Sequence, residues 1–235
     1  MPPLQLDCYQ SIVILTGAGV SAGSQLPTYR GADGLWKRPE TADLATVETL
    51  NQDPQSVWRL FGPLRSMARQ AQPNAAHLAL ARLQQRHPGV TLITQNVDGL
   101  HQRAGSPEVV ELHGNLAQTR CSDPDCKLEP FQDQAEHLEA VPTCQLCGGV
   151  LRPDIVLFGE ALPARAEWLS KRAFRDVDLF MAIGTSGTVD PAARFVEWAA
   201  YAGAWTINVN LEPGGKFDQS FQGKAEELVP ELLDG

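Results

Sequence analysis

The chain has 235 residues, 43% hydrophobic and 20% charged, with a formal net charge of -9, so it can bury a substantial core as one large domain or one domain with a small insert. No apolar run reaches the ~18 residues of a membrane helix. The acidic balance, with no Lys/Arg block, argues against nucleic acid and suits basic, lysine-rich protein segments. The opening MPPLQLDCYQ lacks a basic n-region and an apolar h-region, so no secretory signal is expected and the cytoplasm is the default compartment.

In chain order, the first element is the apolar run SIVIL (11–15), which reads as a strand and empties into LTGAGVSAG (15–23). The spacing Gly17-x-Gly19-x-x-x-Gly23 departs from G-x-G-x-x-G and by itself is weak evidence for a dinucleotide loop. Residues 36–72 read as a helical excursion, with Val57, Leu60, Phe61, Leu64 and Met67 as a buried stripe. Gly62-Pro63 interrupts that stripe and predicts a kink or two short helices. NAAHLALARLQ predicts a helix with Asn74 as its N-cap. VTLIT (90–94), VVELH (109–113), DIVLFG (154–159), DLFMAIG (178–184) and WTINVN (205–210) read as strands. DPAARFVEWAAYAG reads as a helix from Pro191 in its first turn to Gly203 at its end.

Strands alternating with helices predict an α/β fold with a mostly parallel sheet covered on both faces. Four strands finish in small or hydrogen-bonding residues: Thr16-Gly17-Ala18-Gly19, Thr94-Gln95-Asn96, Gly184-Thr185-Ser186, and Asn208 with Asn210 and Glu212. In open parallel sheets the ligand crevice lies outside the carboxyl ends of the strands. The four ends together predict one nucleotide crevice.

Five cysteines are present, Cys8 alone and then CSDPDC and CQLC. The pairs Cys121/Cys126 and Cys144/Cys147 give C-x4-C and C-x2-C knuckles that suit one structural Zn²⁺. The competing reading is reduced bystander or redox-active pairs. Four protein ligands leave no open position for water, so this metal is not expected to catalyse. Cys8 reads as a small, half-buried hydrophobe. Residues 118–152 hold only Arg120, Lys127 and Arg152 against six acidic residues, so no nucleic-acid role is expected of them.

Taken with SQLPTYRGADGLW, TQNVDGLH (94–101), ELHGN (111–115), VLFGE (156–160), IGTS (183–186) and NVNLE (208–212), the glycine loop and the cysteine quartet make the chain resemble a sirtuin over roughly residues 10 to 230. The resemblance implies a Rossmann-type large domain (1–35, 74–117 and 153–235), a helical module (36–73) and a zinc-binding module (118–152). It implies an NAD-dependent protein-lysine deacylase that consumes NAD, releasing nicotinamide and leaving the acyl group on ADP-ribose.

Residue by residue, it implies His113 as general base acting through the ribose hydroxyls, a task suited to a near-neutral pKa. Asn96 and Asp98 would hold the nicotinamide amide and order NAD for cleavage, and Gln95 would contact the ribose. Gly17, Ala18, Gly19, Ser21 and Ala22 would meet the pyrophosphate through backbone amides. Thr28, Tyr29, Arg30 and Trp36 would lie beside the cofactor. Gly184, Thr185, Ser186, Asn210, Leu211, Glu212 and Ala225 would form the adenosine side. An extended peptide would run between the backbone of Val156, Leu157, Phe158, Gly159 and Glu160 and that of Gly187 to Val189, by β-augmentation. Phe158 would wall the acyl-lysine tunnel, with Phe61 nearby. His101 lies in a matching motif, whereas His77, His87 and His137 read as helix or loop residues.

Two departures carry expectations. PTYR places Tyr29 where phenylalanine usually shields the ribose. The Tyr-x-x-Arg pair of desuccinylating sirtuins is absent from Phe61-Gly62-Pro63-Leu64-Arg65, Arg65 falling one position late, so neutral acyl groups are the expected substrates. Rival readings are mono-ADP-ribosyl transfer or lipoamide removal, and a non-catalytic NAD or ADP-ribose sensor. A hydride-transferring dehydrogenase explains neither the zinc-stapled segment nor the QNVD and LHGN elements.

Overall fold

The fold is given by a computed structural model that describes residues 3–29 and 34–234, without the side chain of Trp36. Nine strands occur among these residues: β1 (Ile12–Thr16), β2 (Val90–Thr94), β3 (Val109–Glu111), β4 (Gly114–Cys121), β5 (Phe131–Gln132), β6 (Leu151–Ile155), β7 (Leu179–Ile183), β8 (Trp205–Asn210) and β9 (Gln219–Gln222). The α-helices are α1 (Pro39–Leu44), α2 (Val47–Gln52), α3 (Pro54–Gln70), α4 (Ala75–Arg86), α5 (Leu100–Arg103), α6 (Ala164–Ala173), α7 (Phe195–Ala202) and α8 (Ala225–Leu233).

Six strands form one sheet in the order β3-β2-β1-β7-β8-β9, and every pairing in it is parallel. This is the doubly wound order, and it reverses between β1 and β7. Alternation along β1 explains the layers. Ile12 and Ile14 pack with Leu80 and Leu83 of α4 and Val229 and Leu232 of α8. Val13 and Leu15 pack with Phe174, Phe180 and Phe195 on the α6/α7 face. All five β1 residues are buried, as a central strand covered on both faces requires. Asn74 caps α4 as expected, its side chain accepting from the Ala76 amide at 3.0 Å. Gly203, at φ +82°, ends α7.

DIVLFG does not join the parallel sheet. Its first residues complete β6, which pairs antiparallel with β4 in a separate sheet ordered β5-β4-β6. This sheet packs under α3 through Val57, Phe61, Leu116, Ile155 and Leu157. Of the two outcomes expected at Gly62-Pro63, two short helices do not form: α3 is one helix with Pro63 inside it. Pro63 has no N–H for the Arg59 carbonyl, and both residues lie on the exposed face, where water can take the place of that bond. The buried face is Val57, Trp58, Phe61, Arg65 and Ala68, while Met67, expected in the stripe, is 42% exposed. Among the described residues no helix is long and apolar enough to cross a membrane.

Candidate functional site

The glycine loop follows β1 at the point where the sheet order reverses. The Gly17 amide donates to the Ile183 carbonyl (3.0 Å) and the Gly19 amide to the Gly184 carbonyl (2.9 Å). A Cβ on Gly17 would lie 2.7 Å from the Gly184 oxygen, and one on Gly19 2.7 Å from the Gly184 Cα. These glycines therefore exist for close backbone approach to β7. Their amides are bonded to the carbonyls at the end of β7. Ala18, Ser21 and Ala22 continue in a 3₁₀ turn, Ala18–Ser24.

Gln95, just past β2, ties three strand ends together. Its amide donates to the Thr16 carbonyl (2.9 Å), its side chain donates to Thr185 Oγ1 (2.8 Å), and its carbonyl meets His113 Nδ1 (3.0 Å). A carbonyl can only accept, so His113 carries its proton on Nδ1 and leaves Nε2 bare as an acceptor. Burial lowers the His113 pKa from its usual value, against a smaller raising effect of the Gln95 bond. His113 is therefore favoured in its neutral form, with Nε2 able to accept a proton. It stands between β3 and β4, where Gly114 (φ +82°) turns the chain and a Cβ would strike the Asp154 oxygen at 2.1 Å.

Asn96 and Asp98 are held by a buried network. Ser21 Oγ donates to Asp98 Oδ2 (2.7 Å) and accepts from Asn96 Nδ2 (3.2 Å). His77 Nδ1 accepts from the Asn74 amide (3.3 Å), so its proton sits on Nε2 and reaches Ser21 Oγ (3.3 Å). Burial pushes the His77 pKa down to about 4. His101, whose ring centroid is 4.9 Å from that of His77, donates from Nε2 to Thr16 Oγ1 (2.9 Å). Thr16 in turn donates to Thr94 Oγ1 (2.9 Å). Burial also raises the Asp98 carboxyl pKa, against bonds from the Leu100 amide and Ser21. Ser21, Asn96 and Asp98 line a small cavity with Ala18, Leu26, Pro27, Tyr29, Leu64, Ala68, Val97 and Leu116. Burial, with the Asp98 charge adding, pushes the Tyr29 phenol up.

His77 escaped sequence reasoning as a site residue. Its available signal was the third helical position after the Asn74 cap, where a capping side chain bonds back. Arg30 lies outside the described residues, as does the Trp36 side chain, although its backbone forms a 3₁₀ turn, Leu35–Lys37. Thr28 accepts from the Leu35 amide (3.0 Å). Phe61 is 4% exposed, packed in the core of α3 and the antiparallel sheet, whereas Leu64 reaches the cavity.

On the other side of the switch point, Asn210 Nδ2 donates to the Thr185 carbonyl (2.7 Å) and Ser186 Oγ pairs with Thr188 Oγ1 (2.9 Å). Leu211 and Glu212 are exposed, and Ala225 is buried at the start of α8. Gly187 adopts φ +63° with open space around it. The Val189 carbonyl accepts from Ala193 (2.8 Å).

Among Val156 to Glu160, the amides of Val156, Leu157, Phe158 and Glu160 all have partners inside the fold. Phe158 is 43% exposed.

The four cysteines converge, each sulfur within 4.8 Å of the others. Cys121 Sγ lies 3.5 Å from Cys147 Sγ and Cys126 Sγ 3.6 Å from Cys144 Sγ. Four thiolates at Zn–S ≈ 2.3 Å would lie about 3.8 Å apart, so the cluster fits one tetrahedral zinc. Arg65, expected as a displaced acyl-pocket residue, belongs to the frame of this region. Its guanidinium donates to the carbonyls of Leu116 (2.7 Å), Ala135 (2.8 Å) and Gln118 (2.9 Å) and to Thr119 Oγ1 (2.9 Å). It also pairs with Asp133 at 3.1 Å.

The sequence matches the model of the Sir2 family over residues 17–191. A protein of Aquifex aeolicus named NAD-dependent protein deacylase is 43% identical over 227 residues, spanning 95% of this chain and 94% of that one. A Sir2 homologue solved in complex with NAD is 39% identical, with a TM-score of 0.88 over 96% of this chain and 89% of that one. A Sir2 protein solved with a deacetylated p53 peptide and 3'-O-acetyl-ADP-ribose is 30% identical, with a TM-score of 0.88 over 97% and 94% of the two chains.

Proposed function

Since the chain belongs to the Sir2 family, we propose that it is an NAD-dependent protein-lysine deacylase acting on neutral acyl groups in the cytoplasm. The observation that carries this reading is the His113 imidazole, whose Nδ1 is fixed on the Gln95 carbonyl at 3.0 Å, leaving Nε2 to take a proton. A hydride-transferring enzyme or a nucleotide sensor has no need of that base beside an Asn96–Ser21–Asp98 triangle.

Bound NAD would supply the sugar carbon that receives the acyl oxygen once nicotinamide departs. The chain's own residues do the rest. Asn96 and Asp98, fixed by Ser21, face the small cavity and suit a carboxamide and its cationic ring. Gln95, Gly184, Thr185, Ser186 and Asn210 supply the polar ends of β2, β7 and β8 to the rest of the nucleotide. His113 Nε2 accepts the proton from a ribose hydroxyl. Phe158 and Gly159 serve the acyl-lysine chain on one side, Gly187 to Val189 on the other.

The four cysteines would hold one Zn²⁺ as a closed structural site. We assign 36–73 as a helical module, 118–152 as a zinc-binding module and the remainder as the Rossmann-type domain. Neutral acyl selectivity follows from the Arg65 contacts, since five acceptors surround its five N–H donors and none remains for a distal carboxylate. The acidic net charge of -9 suits lysine-bearing protein segments and argues against nucleic-acid partners.

Incubation with NAD and an acetyl-lysine peptide, followed by mass spectrometry, tests the reading. Nicotinamide and O-acetyl-ADP-ribose are the expected products. NADH, or no turnover at all, would overturn it.

A further inference from the structure

The turn that follows β6 is secured on several sides at once. The Glu160 amide donates to the Leu157 carbonyl (3.0 Å), and Gly159 at φ +92° closes the turn. The Phe158 amide donates to the Ala45 carbonyl (2.8 Å), its carbonyl accepts from Val47 (3.1 Å), and the Val156 amide donates to the His113 carbonyl (2.9 Å). Glu160 folds its carboxylate back under this turn. Oε2 accepts from the Leu157 amide (2.7 Å) and from Arg152 Nη2 (3.0 Å), while Oε1 accepts from Arg152 Nη1. Arg152 is 2% exposed and also donates to the Ile155 carbonyl (2.8 Å).

A two-pronged arginine–carboxylate pair fixes orientation as well as distance. With Arg152 2% and Glu160 20% exposed, such a pair is a poor source of net stability compared with apolar packing. Here that geometry belongs to a turn whose Gly159 amide has no partner among the described residues.

We infer that the Arg152–Glu160 pair is a positioning device for the acyl-lysine peptide. It holds the turn in the shape that offers the Gly159 amide to the substrate main chain, in register with His113 through Val156. Neither charged side chain touches the substrate. The inference rests on the deacylase reading.

The test compares Glu160→Gln with the unaltered protein on two substrates, an acetyl-lysine peptide with flanking residues and an acetyl-lysine derivative lacking them, with ADP-ribose affinity as the check on the nucleotide site. The expected result is a KM for the peptide raised about ten-fold with kcat changed less than about three-fold. Preference for the peptide over the short derivative falls by the same factor, and ADP-ribose affinity holds. An unchanged peptide KM, an equal decline on both substrates, or lost ADP-ribose affinity overturns the positioning role. If the unaltered protein deacylates neither substrate, the deacylase reading falls and takes this inference with it. If it does and Glu160→Gln matches it, only the inference falls.

Discussion

The imidazole of His113 is steered by the backbone of Gln95: Nδ1 lies 3.0 Å from that carbonyl oxygen, and the same residue bonds Thr16 and Thr185. Replacing His113 with Ala is expected to lower deacylation about 10²- to 10⁴-fold, with ADP-ribose affinity retained. Because burial lowers the His113 pKa, the base form persists into mildly acidic solution. The acidic limb of the kcat/KM profile is therefore expected below the ordinary histidine value of about 6.5. A limb at or above that value would contradict the buried, neutral assignment.

His77 predicts how stability responds to acid. Its folded pKa, about 4, lies below the unfolded value of about 6.5. Between those values the unfolded chain binds the proton and the folded one does not, so stability is lost as pH falls through this window. The full effect is on the order of 3 kcal/mol. His77→Gln is expected to flatten the fall in Tm between pH 6.5 and pH 4, measured by thermal scans. An identical fall in both proteins would rule the assignment out.

Arg65 predicts a separation of stability from selectivity. With its side chain 2% exposed and paired to Asp133, Arg65→Met leaves buried acceptors bare and is expected to cost about 3–5 kcal/mol, read by denaturant unfolding. Acetyl-lysine peptides are expected to turn over at least about ten-fold faster than succinyl-lysine peptides, because a buried carboxylate would go unpaired. Comparable turnover of the two would refute the neutral-acyl reading, as would loss of succinyl-lysine activity alone in an Arg65 variant.

The thiolate cluster predicts one zinc per chain by elemental analysis. Cys144→Ser or a strong chelator is expected to remove the metal, lower Tm and abolish activity together, since binding at such a site is folding free energy. Full activity in metal-free protein would exclude the structural role.

Much of this was legible where chemistry is local. The β-branched runs at 11–15, 90–94 and 205–210 fall on interior strands of the parallel sheet, Asn74 caps α4, and the cysteine spacing anticipates the cluster. What escaped depends on long-range partners. β4 (Gly114–Cys121) carries the sequence GNLAQTRC, with no clean alternation, and its pairing with β6 shifts register between Asn115 and Thr119. Arg65 reads as an arginine one position late for the acyl pocket, yet its acceptors come from residues 116 to 135. His77 reaches a serine 56 positions earlier in the chain. Gly62 sits beside a proline and reads as a breaker. Its missing side chain instead admits the Glu136 oxygen, which a Cβ would meet at 2.4 Å.

The chain passes from the parallel sheet to the antiparallel one within two residues, since β3 ends at Glu111 and β4 begins at Gly114. His113 occupies that seam, and β4 ends on the cysteine ligand Cys121. A disturbance at the thiolates therefore has a single eight-residue span of backbone to travel before it swings the base. Metal loss would silence such an enzyme by misaiming its imidazole while the nucleotide-binding sheet still stands.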